Sequence, residues 1–134
     1  MLGLVWEAPQ SLLGLANLGA QHLFGNVERT ERRHGRLFVK LRRAGAVSLG
    51  HFVFWSTTDT PFVRVNPDNE RHEWGHALQS RLLGPLYLPV VGVPSSLRAL
   101  YAAAQWTVTR RPWEGYYRGF PESWADRLGG VRRD

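Results

Sequence analysis

The sequence predicts an α+β fold, and three observations carry that expectation. The stretch Asn66–Gly84 reads as a helix, residues 36–56 read as two strands, and a last short helix opens at Pro121. A chain of 134 residues can bury one hydrophobic core and not two, so positions 1–134 are expected to form a single domain. A hydrophobic share of 43% against 21% charged residues is that of a folded globular chain, which sets disorder aside. The absence of cysteine excludes a disulfide scaffold, a thiolate metal site and a cysteine nucleophile.

Taken in order, residues 8–25 place Leu12, Leu13, Leu15, Leu18, Leu23 and Phe24 at helical spacing, with Gly25 as the stop. A core-packing helix is the expectation, weakened by Gly14 and Gly19; an interfacial helix anchored by Trp6 is the other reading. Residues 28–43 then gather seven basic side chains. From Arg36 to Arg43 the pattern alternates, with Leu37, Val39 and Leu41 inward and Phe38, Lys40 and Arg42 on a wet basic face. Ala44-Gly45 makes a turn, and Ala46–Ser56 is a second strand rich in β-branched and aromatic residues. The two are expected to pair as an antiparallel hairpin over 36–56. Pro61–Val65 reads as a short edge strand.

The next helix spans 67–84. Asn66 is placed to cap it, Pro67 suits its first position, and Asp68 and Glu70 complement the positive end of its dipole. Leu78, Leu82 and Leu83 give it an apolar side, and Gly84-Pro85 end it. Pro85, Pro89 and Pro94 predict an ordered apolar loop packed under the site over residues 83–96. Ser95 or Ser96 would cap a third helix, Leu97–Trp106. Residues 107–120 read as loop, dense in Trp113, Tyr116, Tyr117 and Arg118, before the final helix at 121–129.

Two of these helices carry chemistry. His72-Glu73-Trp74-Gly75-His76 is an HExxH motif, and on a helix positions four apart share one face. Both imidazoles can therefore reach one metal ion, and Glu73 stands where it can take a proton from activated water. A catalytic zinc takes three protein ligands, and Glu122 on the last helix is the candidate third. Asp126, one turn further on, can hold the other ring nitrogen of a ligand histidine.

The pair His72-Glu73-x-Gly75-His76 and Glu122-x-x-Ala125-Asp126-x-x-Gly129 resembles the gluzincin metallopeptidases, in the form found in the CAAX-prenyl-protease and HtpX-like group. Over most of its length the chain is also similar to small bacterial proteins with the same two motifs. They share the wording at Trp6-Glu7, Pro9-Gln10, Leu12–Leu15, Ser48–Gly50 and Phe52. The resemblance implies a minimal zincin-like fold and one Zn(2+) per chain on His72, His76 and Glu122. Glu73 would be the general base, and Asp126 the partner of a ligand histidine. It also implies a substrate-binding strand, here Ser48, Leu49, Gly50, His51 and Phe52, that pairs with an extended peptide or protein substrate. The transition-state stabiliser is not fixed by motif; Tyr116, Tyr117, His51 and Arg118 are candidates by residue type. The transmembrane helices of that group have no counterpart here.

The net charge is +6, and 16 of the 17 cationic residues are Arg. This permits peripheral contact with an anionic membrane surface. No stacking-aromatic array or recognition helix points to specific nucleic acid. The first charge is Glu7, so a basic n-region of a secretory signal is missing. The longest stretch free of Asp, Glu, Lys, Arg and His, Leu82–Leu97, has sixteen residues and three prolines, too short and broken to span a bilayer. The expected location is cytoplasmic or membrane-peripheral. The expected function is a zinc-dependent metallohydrolase, a peptidase. The other two readings are a catalytically silent zinc-binding interaction module, and a basic surface-binding protein for nucleic acid or anionic lipid.

Overall fold

The computed structural model describes residues 5–43, 45–58 and 68–132. The expected edge strand at 61–65 and the capping positions Asn66 and Pro67 lie outside them. Four main helices and a four-stranded mixed sheet make an α+β fold. Helix α1 covers Ala8–Leu23, followed by strands β1 (Val27–Arg33), β2 (Arg36–Leu41), β3 (Val47–Leu49) and β4 (Phe52–Trp55). Helices α2 (Asn69–Leu83), α3 (Val93–Thr109) and α4 (Glu122–Gly129) complete it.

The strand order is β1-β2-β4-β3, and this corrects the expected hairpin. β2 pairs with β4 in parallel, Phe38 opposite Val53, while β3 folds back antiparallel onto β4. The antiparallel partner of β2 is β1, formed from the polar run 27–33 that carries no apolar alternation. Such an exposed strand is held by its ladder and by a neighbouring face, which periodicity cannot register. Both faces of β2 are covered, so its second face is not wet. Val39, Leu41 and Phe54 pack towards Leu18 of α1; Phe38, Val53 and Trp55 pack against Trp74 and Ala77 of α2. The basic residues around it are largely engaged. Lys40 pairs with Glu28 at 2.9 Å, Arg33 with Glu70 at 2.7 Å, and Arg36 is buried with Glu7.

Helix α1 lies on the sheet with the opposite face to the one its leucines predict. Its buried positions are Gln10 and Gly14, preceded by buried Glu7, while Leu12, Leu13, Leu15, Leu23 and Phe24 are exposed. Polar anchoring explains the choice. Glu7 takes both terminal nitrogens of Arg36 at 3.0 Å and the Ser80 hydroxyl at 2.5 Å. Gln10 donates to Ser80 at 3.0 Å and to the Gly84 carbonyl at 2.8 Å, and the Trp6 indole donates to the Arg81 carbonyl at 2.8 Å. A Cβ on Gly14 would stand 2.6 Å from the Leu49 carbonyl, so only glycine lets the helix lie this close to β3.

The prolines do not break the chain after α2. A 3-10 turn at Gly84–Leu86 and a π turn at Leu88–Gly92 lead directly into α3. Pro85, Pro89 and Pro94 each fall in the first positions of a new helical turn, where no intrahelical N–H is required. The expected loop is therefore helical, α3 begins before Ser95, and Tyr87 and Val91 turn inward from the connection. Helix α2 likewise buries small and polar residues, among them Gly75, Ala77, Gln79 and Ser80, and leaves Leu82 exposed.

Candidate metal centre

Helices α2 and α4 touch backbone to backbone. A Cβ on Gly75 would stand 1.8 Å from the Ala125 carbonyl oxygen, and one on Gly129 would stand 1.9 Å from that of Arg71. The glycines and alanine of the two motifs thus set the helix separation at which side chains from α4 reach those of α2.

Glu122 is that reach. Its Oε2 lies 2.8 Å from Nε2 of His72 and 2.8 Å from Nε2 of His76, so three donor atoms from three residues converge. Its other oxygen accepts from the Ser95 hydroxyl. His72, Glu73 and His76 also bring one donor atom each within 4.8 Å of one another. All four are buried. On the far side of each imidazole a fixed acceptor takes the Nδ1 proton: Asp126 Oδ1 at 2.7 Å for His72, and Gln79 Oε1 at 2.6 Å for His76. Gln79 is itself oriented by donating to the Pro121 carbonyl at 3.1 Å. Both rings are thereby held with Nε2 pointed at Glu122, the tautomer a metal ligand needs.

The electrostatics match. Burial alone lowers the affinity of His72 for a proton, but hydrogen bonds to Asp126 and Glu122 outweigh it and raise its pKa to about 9. His76 is opposed by burial and raised by the charge and hydrogen bond of Glu122. Burial pushes Glu122 up, yet the two imidazoles hold it far below the usual carboxylate range. An ionised carboxylate between two imidazoles that attract protons is a site where one divalent cation can displace those protons. Two nitrogens and a carboxylate oxygen are a zinc donor set.

No protein-family model, curated protein or solved structure matches the chain.

The remaining site residues divide by position. Glu73 faces a cleft of about 420 Å³ with His76, and burial raises its carboxyl while the charges of His76 and His72 pull it down. Ser48 anchors it, donating to its backbone carbonyl and lying 3.2 Å from Oε2. The Tyr87 hydroxyl in turn donates to the Ser48 carbonyl at 2.8 Å. Ala46 and, on the edge strand β3, Val47 to Leu49 line the same cleft. Gly50 forms the β3–β4 turn, and Phe52 packs beside the core, so the expected substrate strand shortens to its first half. His51 is turned to α1, its Nδ1 2.9 Å from the Ser11 hydroxyl, and is not among the cleft residues. Tyr116 lines the cleft; burial and the charges of Glu122 and Glu73 keep its phenol protonated. Tyr117 sets its ring edge against His72, centroids 4.9 Å apart, and Arg118 is exposed.

Gln79, Ser95 and the anchoring role of Ser48 went unread in the sequence. Gln79 had a local signal, since it lies three residues after His76 on the same helix face. Replacing Gln79 by Ala is expected to weaken zinc binding about 10- to 100-fold, because the His76 ring loses its orienting acceptor. Competition against a chromogenic zinc chelator measures this, and unchanged affinity would remove Gln79 from the site.

Proposed function

We propose that this protein is a zinc-dependent metallohydrolase, a peptidase of the gluzincin type. The convergence of His72, His76 and Glu122 carries the reading, with Glu73 buried beside them at the wall of an open cleft. His72, His76 and Glu122 would hold the ion, and Asp126 and Gln79 keep the two imidazoles in the ligating tautomer. Bound zinc would supply Lewis acidity, polarising a carbonyl and bringing the pKa of water towards neutrality.

Glu73 takes the proton of the attacking water and returns it to the leaving amine as the amide C–N bond breaks. Burial raises its carboxyl above the ordinary carboxylate range, which favours its taking up the proton. Ser48 keeps the carboxylate aimed at the cleft. The neutral Tyr116 hydroxyl, hydrogen-bonded with Ser95 at the cleft wall, is a candidate donor for a developing oxyanion. An extended substrate segment can lie along the outer side of β3, paired by its main chain.

Metal content of purified protein tests the reading. About one zinc per chain is expected in the wild type, with loss in Glu122→Ala and chelator-sensitive cleavage of an unstructured protein such as casein. A wild type that binds no zinc when supplied with it would overturn the proposal.

A further inference from the structure

The helices flanking the cleft are inside out. The exposed arc of α1 is made of Leu12, Leu13, Leu15 and Leu23, with Leu12 at 68% exposure. That of α3 is made of Val93, Leu97, Leu100, Tyr101 and Val108, with Leu100 at 66% and Val108 at 84%. Inward-facing positions are mostly polar or small: Gln10 and Gly14 beside the core-packed Leu18 on α1, and on α3 Ala102 and Arg98, which donates to the Gly115 and Tyr116 carbonyls. The two apolar arcs belong to one surface, because Leu13 from α1 and Val93 and Leu97 from α3 line the same cleft as Glu73. A globular chain seldom leaves so much contiguous apolar side chain in water without an occupant.

Charge selects the occupant. Neither Ala8–Val27 nor Trp74–Trp113 contains a single Asp or Glu. Cations border the apolar arcs instead. At the far end of α1, beside exposed Leu23 and Phe24, the Arg42 and Arg43 amides are bonded to Asn26, at 2.8 Å to its carbonyl and 2.9 Å to its side chain. At its start, Trp6 is tied to the Arg81 carbonyl. At the end of α3, the Arg110 guanidinium lies 4.4 Å from the Trp106 ring centroid, with Arg111 exposed beside it. An apolar face bordered by arginine and tryptophan, with carboxylates only at its margins in Glu28, paired with Lys40, and Glu114 beside Arg111, suits the boundary between acyl chains and anionic headgroups. A second copy would bring two chains of charge +6 face to face. No helix of the described residues is long and apolar enough to cross a membrane.

We infer that the outer faces of α1 and α3 form a docking surface for an anionic lipid bilayer, with the mouth of the cleft at the membrane. The docking surface requires neither bound zinc nor Glu73, so its test separates from that of the hydrolase reading. Flotation of the full chain with phosphatidylcholine vesicles, with and without phosphatidylglycerol, measures it. The wild type and Glu73→Gln are both expected to float with the anionic vesicles. The triple variant Leu12→Gln/Leu97→Gln/Leu100→Gln is expected to lose binding at least about tenfold with its melting temperature unchanged. Leu15→Gln/Val108→Gln, at positions 56% and 84% exposed, is expected to lose binding as well, and Arg42→Gln and Arg43→Gln should each cost about fivefold. A wild type that ignores anionic vesicles overturns the inference. So does a concentration-dependent dimer that the triple variant dissolves, or triple-variant binding equal to wild type, which would assign adhesion to charge alone.

Discussion

Glu73→Gln is expected to lower peptide hydrolysis by about 10²- to 10⁴-fold while leaving zinc content and melting temperature close to wild type. The amide keeps the shape of the carboxyl and can still meet the Ser48 hydroxyl, which lies 3.2 Å from Oε2. It cannot accept and return a proton at neutral pH, so the loss falls on kcat with little change in KM. His72, His76 and Glu122 are untouched, which keeps the metal in place. Initial rates on a fluorogenic peptide, with zinc measured on the same sample, decide the matter. Hydrolysis surviving in this variant would strip Glu73 of its role. A wild type that holds zinc and cleaves nothing would favour the silent interaction module instead.

Gly75→Ala should have the largest effect on the fold. The added methyl would stand 1.8 Å from the Ala125 carbonyl oxygen and 2.6 Å from its carbon, atoms of a backbone that cannot rotate away. Helices α2 and α4 must then separate, which costs roughly 2–3 kcal/mol and lowers the melting temperature by roughly 10 °C. The same separation draws Glu122 away from both imidazoles, so zinc affinity falls as well. Gly19→Ala is the matched control. Nothing lies within 4 Å of the methyl it adds, and alanine in an exposed helix is more stable than glycine by about 0.5–1 kcal/mol. Thermal melts that moved alike for the two glycines would contradict the close helix contact.

Local features were legible in the sequence. The α+β class, the helix around His72 and His76 and the last helix follow from short-range spacing, and the structure has all three. Glu122 and Asp126 could be named as partners of the histidines because one ligand set and one acceptor were missing from the α2 motif. Their distances from His72, 2.8 and 2.7 Å, depend on α2 and α4 meeting through Gly75.

What the sequence by itself determined is therefore chemistry confined to one turn of helix: which side chains share a face and which residue types can hold a metal. Tertiary structure alone decided the parallel pairing of β2 with β4, since a strand pattern does not say which neighbour it joins. It alone placed Ser95 and Ser48 around the site and tied Gln79 to the Pro121 carbonyl, because these partners come from distant segments. It also decided which face of α1 turns inward. Apolar spacing predicts that leucines seek the core, yet the buried Glu7–Arg36 pair and Gln10 are polar groups whose partners lie inside. Leaving such groups buried without partners costs more than exposing leucines, and an apolar face turned outward has a second phase available to it.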